Sequence, residues 1–124
     1  MGKFIIKATK SGGYKFDLLA TNGQVVATSQ NYNSLATCKN GVASVTKNAA
    51  AADTEDQTVK GYEVKKNPKF EIYQDKAGEF RFRLKATNGQ IIAVGEGYSK
   101  KDSCVKGIDS VKKNSAAAAV EIEK

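Results

Sequence analysis

Residues 80–86, Phe-Arg-Phe-Arg-Leu-Lys-Ala, alternate strictly between apolar and basic side chains. A period of two sends the two sets to opposite faces of a strand, so this segment predicts a strand with one buried face. Residues 4–8 and 70–74 read as first strands of the same kind, and residues 25–29 and 91–94 as third strands. Gly12-Gly13 and Gly78 punctuate the first connection. Asn22-Gly23 and Asn88-Gly89 predict type I′ hairpins, a turn that needs positive φ at both positions. Such hairpins bring Leu19 near Val26 and Lys85 near Ile92. The period then changes. Leu35, Cys38, Val42 and Val45 fall at spacings of three and four, as do Cys104, Ile108 and Val111, which predicts a helix after each third strand. Asn33 and Ser99 are the expected N-caps, with Asp102 three residues after Ser99 as in a capping box. Gly41 and Gly107 sit mid-helix at a cost of about 1 kcal/mol against alanine. Their presence points to a helix that approaches the sheet, or its twin, too closely for a side chain. Alanine-rich stretches at 49–52 and 116–119 follow the helices.

The pattern is written twice. A shift of 66 positions aligns residues 3–52 with 69–118 without a gap, and nearly half of the aligned residues are identical. Ala20-Thr21-Asn22-Gly23-Gln24 returns unchanged as Ala86-Thr87-Asn88-Gly89-Gln90. Tyr32, Cys38, Gly41, Ser44, Val45, Lys47 and Asn48 return as Tyr98, Cys104, Gly107, Ser110, Val111, Lys113 and Asn114. A unit of about fifty residues buries little core alone, so the two are expected to share one. The reading is a single pseudo-symmetric α+β domain over residues 1–124, with repeat one at 1–56, a linker at 57–68 and repeat two at 69–124.

Residues 78–90, Gly-Glu-Phe-Arg-Phe-Arg-Leu-Lys-Ala-Thr-Asn-Gly-Gln, followed by Tyr98 and by Gly107-Ile108-Asp109-Ser110-Val111-Lys112-Lys113-Asn114, resemble the YegP-like family of small bacterial proteins. The first copy matches more loosely, with Asp17 in the place of Arg83 and Leu19 in that of Lys85. The resemblance implies tandem β3-α-β repeats sharing one twisted antiparallel sheet, with two helices packed on one face. It also implies that the final strands, near Asp53–Gln57 and Ala119–Glu123, are exchanged between the repeats. It carries no biochemical function.

Composition narrows the chemistry. The 124 residues include no histidine, which excludes Ser-His and Cys-His catalytic pairs. Cys38 and Cys104, the two cysteines, belong to no Cys-x-x-Cys motif and have no histidine to complete a metal site. Their helical spacing makes them core thiols. No catalytic group, metal or cofactor is therefore expected. Tyr32 and Tyr98 read as structural anchors at the helix starts, and Gly95-Glu96-Gly97 as a turn or bulge rather than a phosphate cradle. No apolar run is long enough to span a bilayer and the first ten residues alternate, so a cytoplasmic protein with no membrane role is expected.

Lys and Arg outnumber Asp and Glu by 20 to 13, a net charge of +7. With Phe4, Ile6, Phe16, Leu18, Phe70, Ile72, Phe80, Phe82 and Leu84 facing the helices, the open face of the sheet carries Lys7, Lys15, Tyr73, Arg81, Arg83 and Lys85, with Asp17 and Glu71 among them. That face reads either as the solvated side of an amphipathic sheet, its basic stems lying over Leu19 and Ile92, or as a groove for single-stranded nucleic acid. One aromatic and a preponderance of lysine over arginine favour the first. The functional expectation is a noncatalytic small binding or accessory protein, its partner an unidentified protein or a polyanion. The second reading is a nonspecific nucleic-acid binder using the six open-face residues. Two half-sites in one chain predict a monomer.

Overall fold

The computed structural model describes residues 2–116 and 118–123. In chain order the elements are β1 (Lys3–Ala8), β2 (Tyr14–Leu19), β3 (Val25–Thr28), α1 (Leu35–Ala51), β4 (Asp53–Asp56), β5 (Lys69–Gln74), β6 (Phe80–Lys85), β7 (Ile91–Val94), α2 (Lys101–Ser115) and β8 (Ala119–Ile122). The strands form one eight-stranded sheet in the order β4-β5-β6-β7-β3-β2-β1-β8. Each repeat contributes an antiparallel meander, and the meanders meet at β3 and β7 through the single pair Thr28–Val94.

The exchange lies at the edges. The fourth strand of repeat one, β4, pairs with β5 of repeat two, and β8 pairs with β1. Both outer pairs are parallel, so the sheet is mixed rather than antiparallel throughout. The reason is geometric: in each repeat the chain leaves its helix running in the direction of the first strand it joins, as a crossover connection does. The charged stretch Asp53-Thr54-Glu55-Asp56 is a strand because β5 supplies its partners, not because of its own apolar content.

The alternation behaves as the pattern demands. Phe4, Ile6, Phe16 and Leu18 in one unit, and Phe70, Ile72, Phe82 and Leu84 in the other, are at most 1 % exposed. Each unit repeats an edge-to-face aromatic pair, Phe4–Phe16 and Phe70–Phe82. Phe80, at the strand start, is only partly buried against this core. Both helices cover the apolar face, α1 touching β2 and also β5, β6 and β7, α2 touching β1, β2, β3 and β6. Each helix thus packs on strands of both units. No helix among the described residues is long and apolar enough to cross a membrane.

Three local expectations are corrected. The hairpins are not type I′. Gly23 N donates to Ala20 O and Ala20 N to Gln24 O, and Gly23 has a φ of +86°. This is a three-residue loop, a type I turn closed by a left-handed glycine, and Thr87-Asn88-Gly89 repeats it. The Asn22 side-chain oxygen accepts from Gln24 N, which accounts for asparagine there. The register consequently slips: Leu19 lies opposite Val25 and Lys85 opposite Ile91, and a bulge turns Val26 and Ile92 into the core. The caps also move by one residue. Ser34, not Asn33, caps α1 and forms a capping box with Thr37, while Lys100, not Ser99, precedes α2 without a side-chain cap. Finally, Ala49–Ala51 belong to α1 itself.

The mid-helix glycines are explained by tyrosine. A Cβ on Gly107 would sit 2.6 Å from the Tyr98 hydroxyl and 3.0 Å from the Phe82 ring, and one on Gly41 would run into Tyr32. Gly23 is a different case. No atom lies within 4 Å of its would-be Cβ, so only the backbone requires glycine. Gly23→Val is expected to cost about 1–2 kcal/mol, the left-handed penalty of a β-branched residue. Urea melts check this, and a loss below a few tenths of a kcal/mol would contradict the turn assignment.

Candidate functional site

The open face is where the sequence placed its candidate residues, and the fold does bring them to that face. It also gives most of them partners. Lys7 Nζ lies 3.0 Å from the buried carboxylate of Asp17, whose hydrogen bond raises the lysine pKa. Arg81 Nε meets Asp75 at 2.6 Å, Arg83 Nε meets Glu71 at 2.6 Å, and Lys85 Nζ lies 3.4 Å from Glu71. The one stacking aromatic is covered: the Arg83 guanidinium sits 4.7 Å from the Tyr73 ring centroid. Of the five cations among the six, only Lys15 makes no ion pair within the described residues.

At the β4–β5 edge of this face lies a buried charge network that the sequence pattern did not reveal. Glu55, Lys69 and Glu71 stand side by side on β4 and β5 and are 1 %, 7 % and 2 % exposed. Lys69 Nζ bridges Glu55 at 2.8 Å and Glu71 at 3.2 Å. Burial pushes the Glu55 carboxyl upward, but hydrogen bonds from Lys69, Gln57 and the Lys65 backbone overcome it and hold the group at about 2. The Lys65 contact shows the linker folding back onto the face. Glu71 follows the same balance, with burial opposed by Arg83 and Lys69, and ends lowered. The signal for this network was available in the repeat. Carried past residue 52, the 66-residue shift pairs Glu55 with Glu121, just as it pairs Lys69 with Lys3. The second bridge exists too, Lys3 to Glu121 at 3.2 Å, on an exposed edge.

Both cysteines are buried, and burial pushes the Cys104 thiol up to about 11, away from the reactive thiolate. Gly95 packs against the Phe82 ring instead of facing a ligand. Among the described residues no group of three or more His, Cys, Asp or Glu side chains is placed to hold a metal.

Two clefts on the helical side were not anticipated. The first, about 430 Å³, lies between the β2–β3 turn (Thr21, Asn22) and α2 (Lys106, Ser110, Lys113, Asn114). The second, about 350 Å³, lies between the β6–β7 turn (Thr87, Asn88) and α1 (Ser44, Lys47, Asn48). They are the same place seen twice, and each takes its helix from one repeat and its turn from the other. Thr21, Asn22, Ser44, Lys47 and Asn48 are all among the residues that return unchanged in the second copy. The open face is the reverse: Lys7, Lys15, Asp17 and Leu19 return as Tyr73, Arg81, Arg83 and Lys85. In the second cleft the Thr87 hydroxyl donates to Asn48 Oδ1 at 3.2 Å, tying the repeats together. The Asn48 amide donates to the carbonyl and the hydroxyl oxygen of Ser44, and Asn114 repeats both bonds with Ser110.

Comparison with known proteins agrees with this architecture. The model of the domain of unknown function DUF1508 matches the chain twice, over residues 9–56 and 75–121. The UPF0339 protein YegP of Yersinia pestis is 39 % identical over 121 residues, 98 % of this chain and 95 % of that protein. A UPF0339 protein of Treponema denticola is 64 % identical over 52 residues, 42 % of this chain but 90 % of its own length, so it is close to one repeat in size. Among solved structures, the solution structure of YegP from E. coli, described as a protein of unknown function, is similar with a TM-score of 0.80 at 29 % identity, covering 98 % of this chain and 92 % of that one.

Proposed function

This chain belongs to the DUF1508 family, whose function is unknown, and from its own geometry we propose that it is a noncatalytic binding protein whose binding sites are the two inter-repeat clefts. One observation carries the reading: polar side chains repeated in both units converge from distant segments into two equivalent clefts. The turn explains Asn22 and Asn88, and the tether explains Asn48. Neither explains why Lys47 and Lys113, which make no ion pair among the described residues, stand at the same place in both copies. Their volumes fall in or near the range of small-molecule sites. The open face fits a structural role better, because its cations are matched to the protein's own carboxylates and its ring is stacked. A polyanion would have to compete with those partners for each residue but Lys15.

The test is a small-molecule screen followed by amide chemical shifts on the labelled protein. Hits are expected to move residues 43–48 and 86–88, or 20–22 and 106–114, and to be recovered unchanged. Hits that instead map to Lys15, Arg81 and Arg83 would place binding on the sheet. A hit converted to product, with turnover abolished by one side-chain change, would overturn the noncatalytic reading.

A further inference from the structure

We infer that each cleft binds an oxyanionic group, held by the lysine and serine that lie one helical turn apart, Ser44 with Lys47 and Ser110 with Lys113. The assignment rests on the clefts being the binding sites and adds the chemistry of their ligand. It follows from counting donors and acceptors. A serine hydroxyl has one proton to give and lone pairs to receive. In both clefts the neighbouring asparagine amide occupies the receiving side of the serine oxygen, at 2.9 Å each time. The serine proton then has no acceptor among the described residues. The lysine beside it brings three more N–H donors and makes no ion pair with a carboxylate among the described residues. In the second cleft, Asn48 has both functions satisfied, its oxygen by Thr87 and its amide by Ser44. What remains unspent there is donor capacity and one positive charge, with no carboxylate in the lining. Such a set is complementary to a negatively charged oxygen acceptor, with the ammonium acting as a point charge.

The two clefts differ in one respect that makes the inference sharper. Position 43 is alanine, but its counterpart in the first cleft is Asp109, and Lys106 stands where repeat one has Asn40. Both clefts carry a net charge of one positive unit. Only the first places a carboxylate in the lining, where it repels an anion at close range. The second cleft is therefore the tighter site.

Inorganic phosphate and acetate, titrated separately into the labelled full chain at constant ionic strength, test this. Saturable amide shifts are expected at Ser44, Lys47, Thr87 and Asn88 before those at Ser110 and Lys113. Whichever anion saturates first identifies phosphate or carboxylate chemistry. Lys47→Met, at an exposed position, should weaken the second cleft at least tenfold and leave the first unchanged, and Lys113→Met should do the reverse. Shifts that rise without saturating, spread over surface lysines such as Lys10 and Lys76, would overturn the inference, as would an unchanged titration of Lys47→Met. If neither anion moves the cleft amides while a neutral hit from the small-molecule screen does, the oxyanion assignment falls and the clefts stand as binding sites for another chemistry.

Discussion

Replacing Lys69 by methionine is expected to destabilise the protein by about 3–5 kcal/mol at neutral pH, the usual consequence of leaving a buried ion without its partner. Methionine keeps much of the stem's volume, so the loss is electrostatic more than steric. Among the described residues Lys69 is the one cation in an ion pair with Glu55, which is 1 % exposed and would retain hydrogen bonds from Gln57 and the Lys65 backbone. The effect should shrink in acid. In the native protein the Glu55 carboxyl is held at about 2 against an ordinary 4.5. A depressed carboxylate contributes stability that is complete above its unfolded value and is lost as pH falls through its folded value. For Glu55 that window runs from about 4.5 down to about 2. Without Lys69, burial dominates and the carboxyl takes up its proton at higher pH, which relieves the unpaired charge. Urea melts at pH 7 and pH 3.5 check both parts. A loss under 1 kcal/mol at pH 7, or an equal loss at both, would show that the network is not the keystone of the open face.

How far the sequence reveals this protein depends on the range of each interaction. Alternation in β6, the helical stripe of Cys38, Val42 and Val45, and the 66-residue shift are local or self-evident patterns, and the core they predict is observed except at Phe80, which is only partly buried, while Val26 and Ile92 join it through the bulge. The turns were legible as turns but not by type. Asn-Gly satisfies both a two-residue and a three-residue loop, and the choice is made by the bulge that buries Val26 and Ile92. The caps moved for a similar reason, since Asn33 and Ser34 are both able caps and only backbone geometry separates them.

The open-face candidates show a different limit. Lys7, Lys15, Tyr73, Arg81, Arg83 and Lys85 do reach one face, so the period-two argument was sound. Asp17 and Glu71 were placed among them, but the pairing itself was not legible: Asp75, the partner of Arg81, comes from a turn, and Glu55, the partner of Lys69, from a strand with almost no apolar signal. Registers between β4, β5 and β6 decide which carboxylate meets which cation, and no local pattern encodes them. The clefts were hidden for the same reason. Asn48 and Thr87 are 39 positions apart and meet only because the repeats interlock. What the sequence did contain was the identity of those residues in both copies, a hint that they do the same thing twice.

Everything above depends on the repeats completing one another, so the most direct measurement is made on the halves. Residues 1–56 and 69–124, produced separately, each lack the parallel partner that the other supplies to its outer strand. Each also lacks one wall of both clefts. Sedimentation equilibrium combined with melts at several concentrations should show that neither half folds as a monomer. Cooperative melting should appear only in associated species, with midpoints that rise with concentration. An equimolar mixture should form a one-to-one complex with the amide spectrum of the intact chain. A monomeric half with a cooperative melt that does not move with concentration would contradict the shared sheet, and with it the clefts built across it.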